Sequence, residues 1–140
     1  SPSDAGMAGA MRRALKDAAL DASSIGYINA HGTGTEVGDI AESRATNAVL
    51  GETVPISSTK SFTGHTLGGC GAIESVFAFG MMRDGFLPPT RTLERPDPRC
   101  APLHHIIGDA RQSKPEFVMN SNFAFGGINT SLIFRRPDRI

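Results

Sequence analysis

Residues 25–57 read IGYINAHGTGTEVGDIAESRATNAVLGETVPIS, and the succession of patterns in this stretch decides the fold. A short apolar run at 25–30 lies between turn signals, which predicts a buried strand. A loop rich in glycine and threonine follows, and apolar residues then recur at helical spacing over about 39–50. A second short strand is predicted at 54–57. Strand, helix and strand in this order predict an α/β fold with a mostly parallel sheet and helical cover.

The flanking sequence extends this arrangement on both sides. Amphipathic spacing predicts a first helix over about 4–20, with Ser3 and Asp4 as capping residues, and Asp39 is the expected cap of the second helix. A helix at about 65–83 is apolar or small nearly all round, so we expect it to be buried. Five prolines predict an irregular segment at 88–102. Further strands are predicted at 103–107, 116–119 and 130–134, with the last two able to pair.

Composition narrows the class of protein. The 140 residues carry 14 Lys plus Arg and 14 Asp plus Glu, so we expect no partner that is a nucleic acid or a membrane. No window approaches 18 consecutive apolar residues, and residues 1–4 lack the basic region of a secretory signal. Cys70 and Cys100 are too few for a disulfide scaffold. We therefore expect one cytoplasmic domain over residues 1–140.

The first polar loop, after the strand at 25–30, combines one imidazole with two hydroxyls. His31 ends the strand, and Thr33 and Thr35 alternate with glycines that let the backbone approach a ligand closely. The two threonines could hydrogen-bond an extended polar ligand such as an amide-bearing arm. The glycine spacing is not that of a dinucleotide-binding loop. Taken alone, this loop is more simply interpreted as a turn with a structural histidine.

The second polar loop, after the strand at 54–57, favours chemistry more strongly. Lys60 stands five residues before His65, and Gly64 lets the chain turn and present His65 at the start of the next helix. A helix N-terminus disfavours the imidazolium, so His65 is expected to be neutral. Lys60 could hold a carboxylate or lower the pKa of a neighbouring imidazole. Two neutral imidazoles meeting from adjacent strand ends suit a developing oxyanion, whereas no third residue at metal-ligand spacing supports a metal site.

Two carboxylates accompany these loops. Glu42 lies on the helix after His31, and Glu74 lies on the helix after His65, among apolar neighbours. A carboxylate in such surroundings must be paired or hydrogen-bonded, because otherwise it takes up a proton. We expect both to brace the loops and so to orient the histidines.

The remaining candidates carry weaker signals. Phe123 and Phe125, flanked by amides and glycines, fit core filling and a flexible aromatic gate equally well. His104 and His105 are adjacent in a predicted strand, so they face opposite ways and make a poor ligand pair. Cys70 could form a stabilised thiolate near a helix start, but a buried small side chain is the preferred interpretation.

Taken together, the three loops resemble one family. NAHGTGT at 29–35, SSTKSFTGH at 57–65 and NFAFGG at 122–127 occur in this order in the C-terminal half of the 3-oxoacyl-[acyl-carrier-protein] synthases. These are the condensing enzymes of fatty-acid and polyketide synthesis. LPPT at 87–90 and RPDP at 95–98 also match, so the resemblance covers nearly the whole chain.

The resemblance implies a fold and a set of partners. Family members have a thiolase-like fold, in which two similar αβαβα halves stack in five layers and the enzyme is normally a homodimer. This chain resembles the second half only, and its abrupt start suggests a segment of a longer polypeptide. The acyl-carrier protein and the N-terminal half of the same synthase are the implied partners. No bound cofactor is implied, because the phosphopantetheine arm of the carrier protein belongs to the substrate.

The resemblance also implies roles for individual residues. In the family, a cysteine of the first half is acylated, malonyl-carrier protein loses carbon dioxide, and the enolate attacks the acyl-enzyme. By motif, the histidine pair would support decarboxylation and polarise the malonyl thioester, a lysine would position the second histidine, two threonines would hold the phosphopantetheine arm, and a helix glutamate and a gating phenylalanine would complete the site. In this order the residues are His31 and His65, Lys60, Thr33 and Thr35, Glu74, and Phe125.

Two departures and two rival functions accompany the resemblance. The nucleophilic cysteine of the first half is absent, so this segment alone should not form an acyl-enzyme. Ala124 stands where the family usually has glycine, which narrows the backbone freedom of the gate. A non-catalytic chain-length-factor-like subunit is one rival, disfavoured because both histidines and the lysine are present. A thioester hydrolase is the other, disfavoured because the GxSxG motif is absent.

Overall fold

The computed structural model describes residues 2–138 and contains a five-stranded sheet between two helical layers. Ser1, Arg139 and Ile140 of the expected domain lie outside the described residues. The principal elements, in chain order, are α1 (Asp4–Ala18), β1 (Ile25–Asn29), α2 (Glu36–Leu50), β2 (Pro55–Ser57), α3 (Lys60–Thr63), α4 (Cys70–Asp84), β3 (Phe86–Leu87), β4 (His104–His105), β5 (Arg111–Gln112), β6 (Phe117–Phe123) and β7 (Asn129–Arg135).

The main sheet has the strand order β4-β2-β1-β6-β7. The first four strands run parallel, and β7 pairs antiparallel with β6, with Phe117 opposite Arg135 and Phe123 opposite Asn129. This confirms the predicted mixed, mostly parallel sheet and the pairing of the last two strands. β3 and β5 form a separate two-stranded ribbon.

Each face of the sheet packs against its own helical layer, because successive side chains of a strand point to opposite faces. Ile28 of β1 and Met119 of β6 belong to a core shared with α1 and α2. Tyr27 and Val118, one position earlier in each strand, belong to a second core shared with α4. The sheet therefore holds α4 against the face opposite α1 and α2.

The first helix is confirmed, and the start of the second was predicted wrongly. Ser3 caps α1 by accepting a hydrogen bond from the Gly6 N–H. α2 begins at Glu36, with Thr35 in the capping position, so Asp39 lies in the first turn and is not the cap. Acidic residues in the first turn favour this earlier start, because they interact well with the free N–H groups there.

The prediction for the helix at 65–83 was wrong in two respects. A short α3 occupies part of the predicted loop, and α4 begins only at Cys70, after a 3₁₀ turn at Leu67–Gly69. The helix is also not buried all round: Val76 is 65% exposed and Phe79 49% exposed. The sheet covers only one side of α4, and no other element among residues 2–138 covers the apolar side chains on its other side.

The later elements lie where the sequence predicts them, but their lengths differ from the prediction. The segment 88–102 is irregular, as its prolines predict. The strand predicted at 103–107 is limited to the two residues of β4, whereas the strand predicted at 116–119 continues to Phe123 as β6. The extension matters for the site, because it carries Asn120 and Asn122 to the edge where the polar loops lie.

Candidate active site

The rings of His31 and His65 meet at the carboxyl ends of the parallel strands. Their centroids are 5.3 Å apart and the ring planes lie at 89°, an edge-to-face arrangement. His31 lies two residues beyond the end of β1, and His65 lies two residues beyond the end of α3, the short helix that follows β2. Ligands in folds of this kind collect at this edge of the sheet. The predicted meeting of two imidazoles from separate loops is therefore confirmed.

The backbone around His31 is fixed by Glu42 and by a close approach to β2. The two carboxylate oxygens of Glu42 accept hydrogen bonds from the backbone N–H groups of His31 and Gly32, each at 2.8 Å. Gly32 has a φ of 41°, and a side chain there would lie 2.6 Å from Cβ of Ser58. Burial raises the pKa of Glu42 to about 7, against the lowering effect of the two N–H donors. Glu42 thus braces the loop, as predicted, through backbone amides instead of an ion pair.

Lys60 and Glu74 form a buried ion pair that Asn122 connects to His31. Nζ of Lys60 lies 2.5 Å from Oε1 of Glu74, and the two side chains are 4% and 3% exposed. Lys60 also donates to Oδ1 of Asn122 at 3.2 Å, and Nδ2 of Asn122 donates to Oε2 of Glu74 at 2.8 Å. The structure thus confirms the prediction that Glu74, the carboxylate on this helix, is paired. The side-chain hydrogen bonds of Lys60 go to Glu74 and Asn122 and not to His65, so the expected positioning of His65 by Lys60 stays a prediction.

His65 is oriented by the start of the 3₁₀ turn that follows it. Gly64, with a φ of 73°, turns the chain before the histidine. Nδ1 of His65 accepts a hydrogen bond from the Leu67 N–H at 2.9 Å. A neutral imidazole that accepts at Nδ1 carries its proton at Nε2. His65 is therefore set up to donate a hydrogen bond from Nε2.

His31 is held in its neutral form by its surroundings. Partial burial lowers its pKa to about 4, and the positive charge of Lys60 adds to this effect. The contact with Asn122 acts in the opposite direction and is smaller. The predicted influence of Lys60 on a neighbouring imidazole therefore acts on His31.

Thr33 and Thr35 line a cavity of about 660 Å³ that also contains Lys60 and His65. The two hydroxyls lie 3.0 Å apart and are hydrogen-bonded to each other. Asp39, on the same wall, has a raised pKa, mainly because of its burial. The predicted threonines therefore share this cavity with His65, whereas His31 is not among its lining residues.

Phe123 and Phe125 occupy different environments. Phe123 is buried, and its ring lies 6.0 Å from that of His31. Phe125 is fully exposed on a short 3₁₀ turn whose Gly126 has a φ of 80°. Ala124 adopts an ordinary extended conformation, with φ of −98° and ψ of 164°, so its side chain causes no backbone strain here. Phe123 thus fills the core, and Phe125 has the exposure a mobile gate would need.

Of the other candidates, His104 and His105 are separate from the histidine pair, whereas Cys70 contacts it. His104 and His105 form the edge strand β4, where Nδ1 of His104 faces the Thr53 carbonyl. Among residues 2–138, no group of three His, Cys, Asp or Glu side chains could hold a metal ion. Cys70 is buried, as predicted, but its Sγ lies 3.2 Å from Nδ1 of His65, a contact that we did not predict.

The sequence analysis also missed the amides that join the loops. Asn29 donates to Oδ1 of Asn120 and accepts from the Thr59 N–H, which ties the ends of β1 and β6 to the start of α3. Asn122 contacts Lys60, Glu74 and His31. The only signal for Asn120 and Asn122 was the density of amides after the strand predicted at 116–119, and that pattern does not reveal which groups they contact.

None of the described helices is both long enough and apolar enough to cross a membrane. Comparison with known proteins then gives the family. The beta-ketoacyl synthase C-terminal domain family matches residues 1–94. The chain is 41% identical over 138 residues to "3-oxoacyl-[acyl-carrier-protein] synthase 2" of Synechocystis sp.. The match covers 96% of this chain and 33% of that relative.

Solved structures of ketosynthases share the fold. A beta-ketoacyl synthase from Burkholderia phymatum is 57% identical with a TM-score of 0.95, covering 97% of this chain and 33% of that one. The AntDE:AntF complex, a type II PKS acyl-carrier protein with its ketosynthase bound to the hexaketide, contains a chain 36% identical with a TM-score of 0.88, covering 95% of this chain and 34% of that one. The chain thus spans about a third of the length of these proteins. It belongs to the beta-ketoacyl synthase family, has the thiolase-like fold, and corresponds to the C-terminal part of the 3-oxoacyl-[acyl-carrier-protein] synthases.

Proposed function

We propose that this chain is the C-terminal part of a synthase that condenses malonyl-carrier protein with an acyl thioester. The observation that carries the proposal is the meeting of His31 and His65, at 5.3 Å between ring centroids, together with the buried Lys60–Glu74 pair. Relatives named 3-oxoacyl-[acyl-carrier-protein] synthase support the reaction class, which is acyl transfer.

In the proposed reaction, the bond between the malonyl carboxylate and its neighbouring carbon breaks, and carbon dioxide leaves. The electron pair moves into an enolate whose negative charge develops on the thioester oxygen. Nε2–H of His65 would donate to that oxygen, and His31 would complete the pair around the reacting group. Fixed donors of this kind stabilise developing charge effectively, because they need no reorganisation during the reaction. The enolate carbon then attacks the acyl-cysteine, which releases the thiolate.

The remaining parts of the proposal concern binding and partners. Thr33 and Thr35 would hold the phosphopantetheine arm, and Phe125 would act as the gate. Carrier-protein binding is supported by the AntDE:AntF complex, in which an acyl-carrier protein is bound to its ketosynthase. The exposed apolar side of α4, with Val76 and Phe79, is of the kind that another protein surface covers. We propose that the first half of the synthase packs there and supplies the acylated cysteine; the homodimer and the cytoplasmic location stay predictions.

The test is an assay of the full-length polypeptide that carries this segment. We expect it to form 3-oxoacyl product from acyl and malonyl-carrier protein, whereas the 140-residue segment alone should form none. The chain-length-factor-like rival predicts that the full-length polypeptide does not decarboxylate malonyl-carrier protein. Absence of decarboxylation by folded full-length protein would therefore reject the proposed function, and product formation by the segment alone would reject the missing-nucleophile argument.

A further inference from the structure

Asn122 joins the buried ion pair to His31 through its side-chain amide. Its side chain extends from β6 on the face of the sheet that α4 covers. Its Oδ1 is 3.2 Å from Nζ of Lys60 and 3.3 Å from Nδ1 of His31, while its Nδ2 is 2.8 Å from Oε2 of Glu74. One amide therefore contacts a cation, an anion and an imidazole.

The two charged partners fix the orientation of this amide. Lys60 has only hydrogen-bond donors and ionised Glu74 has only acceptors, so the amide oxygen must face Lys60 and the amide nitrogen must face Glu74. The reverse orientation would place an N–H₂ group against an ammonium and an oxygen against a carboxylate. Oδ1 has two lone pairs, so it can accept from Lys60 and from one further donor.

The orientation of the amide dictates the position of the proton on His31. Because Oδ1 can only accept, Nδ1 of His31 must donate, and the neutral ring then has a free lone pair at Nε2. His65 has the opposite arrangement, since its Nδ1 accepts from the Leu67 N–H and its proton lies at Nε2. The two rings that meet at 5.3 Å thus hold their protons at different nitrogens.

We infer that Asn122 is a positioning residue that relays the orientation of the Lys60–Glu74 pair to His31 and fixes its proton at Nδ1. This inference rests on the proposed function and deepens it, because it names a residue that positions the first ring of the proposed pair. His65 donates to the thioester oxygen, and His31 presents an acceptor at Nε2.

The experiment measures the ring nitrogens of His31 directly. ¹⁵N-histidine NMR of the full-length polypeptide distinguishes protonated from unprotonated ring nitrogens, with His31 assigned by difference against His31→Gln. We expect the wild-type ring to show a protonated Nδ1 and an unprotonated Nε2 at neutral pH. In Asn122→Leu the Nδ1 signature should be reduced, and malonyl decarboxylation should fall by about tenfold or more, because the ring is no longer held in one state. Asn47→Leu, which removes an amide bonded to the Pro102 carbonyl, is the matched control and should change neither.

A second variant covers the case in which Asn122→Leu does not fold. Asn122→Asp keeps the shape and the acceptor, and a carboxylate oxygen at Nδ1 of His31 stabilises an imidazolium. Its second oxygen replaces the donor to Glu74, so the two carboxylates repel each other and share the positive charge of Lys60. The pKa of His31 should therefore rise, by about one to three pH units. Lys60 and His65, the charged or titratable groups that act on His31 besides Asn122, oppose this rise, and Glu42 contacts only its backbone N–H.

The outcomes separate this inference from the proposed function. A wild-type His31 protonated at Nε2, or an Asn122→Asp variant in which the pKa of His31 does not rise, would overturn the role of Asn122. Loss of condensing activity in a wild-type protein with the expected ring signature would reject the proposed reaction and leave the proton assignment standing.

Discussion

Nζ of Lys60 lies 2.5 Å from Oε1 of Glu74, although both side chains are almost completely buried. Charges in such surroundings are tolerated only as a pair, because each would be costly to hold there alone. The pair joins α3 to α4 and contacts Asn122 of β6. The loop that carries His65 is therefore anchored to the sheet by electrostatics as well as by packing.

Removal of one partner from this pair should be strongly destabilising. We expect Lys60→Met to lower the free energy of unfolding by about 3–5 kcal/mol, because Glu74 is left buried and uncompensated. Urea titration of the full-length protein measures the effect, and adding Glu74→Gln should recover part of it. Arg83→Met is the control, since the Arg83–Asp84 pair is exposed and should matter little. Equal effects of Lys60→Met and Arg83→Met would contradict this account.

His65→Ala should separate the two half-reactions of the proposed condensation. We expect malonyl decarboxylation to fall by about 10²–10³-fold, because a fixed donor to the developing oxyanion is lost. Acyl transfer to the cysteine should be largely preserved. Both rates are measured in the full-length enzyme with separate acyl and malonyl substrates. His104→Ala, at the exposed edge strand, should leave both rates unchanged, and an unaltered decarboxylation rate in His65→Ala would remove the role assigned to this ring.

The depressed pKa of His31 should appear in the pH dependence of stability. Its pKa falls from 6.5 to about 4 on folding, so between these values the unfolded chain binds a proton that the folded chain does not. Its contribution to stability is complete above about pH 6.5 and is lost as the pH falls towards 4. As the pH falls from 6.5 to 4, the melting temperature of the wild type should therefore fall more steeply than that of His31→Gln. The raised pKa of Glu42 acts in the opposite direction, but Glu42 is present in both proteins, so its effect cancels in the comparison. Parallel curves for the two proteins would show that His31 titrates normally.

Glu42→Gln should loosen the first loop without removing a charge pair. The two oxygens of Glu42 serve two backbone N–H groups, whereas glutamine has one oxygen and would place an N–H₂ group against a donor. An unsatisfied buried group costs about 1–3 kcal/mol. We expect this loss in urea titration. The decarboxylation rate should also fall, because Glu42 holds the backbone N–H of His31 in place. Glu36→Gln, at the exposed start of the same helix, is the matched control. Wild-type stability in Glu42→Gln would show that the brace is dispensable.

Ala124→Gly tests the proposed gate. Ala124 adopts an extended conformation that alanine tolerates, so glycine would add backbone freedom without relieving strain. We expect faster or less selective acyl transfer to the cysteine, by about a few-fold, since a backbone change of this kind is worth about 0.5–1 kcal/mol. Stopped-flow acylation measures the rate. An unaltered rate would indicate that the alanine does not restrict Phe125.

Local patterns determined most of the fold and the identity of the candidate residues. The alternation of the apolar run at 25–30 with the helical spacing after it indicated the parallel sheet, because strand and helix periods differ clearly. The helix at 65–83 was harder to predict, since glycines at 68, 69 and 71 and an all-round apolar composition do not show where a turn becomes a helix or which side is covered. The loops gave His31, Lys60 and His65 by residue type, and their motifs identified the family.

Only the tertiary structure decided how these residues contact one another. Asn122 and His31 are 91 positions apart in the chain, and the parallel pairing of β1 with β6 brings them together at one sheet edge. Register sets which side of the sheet each amide faces, and a shift by one residue would turn Asn122 away from Lys60 and Glu74. The sequence alone therefore determined which chemical groups are present, while strand register and the directional hydrogen bonds of one amide decided where their protons lie.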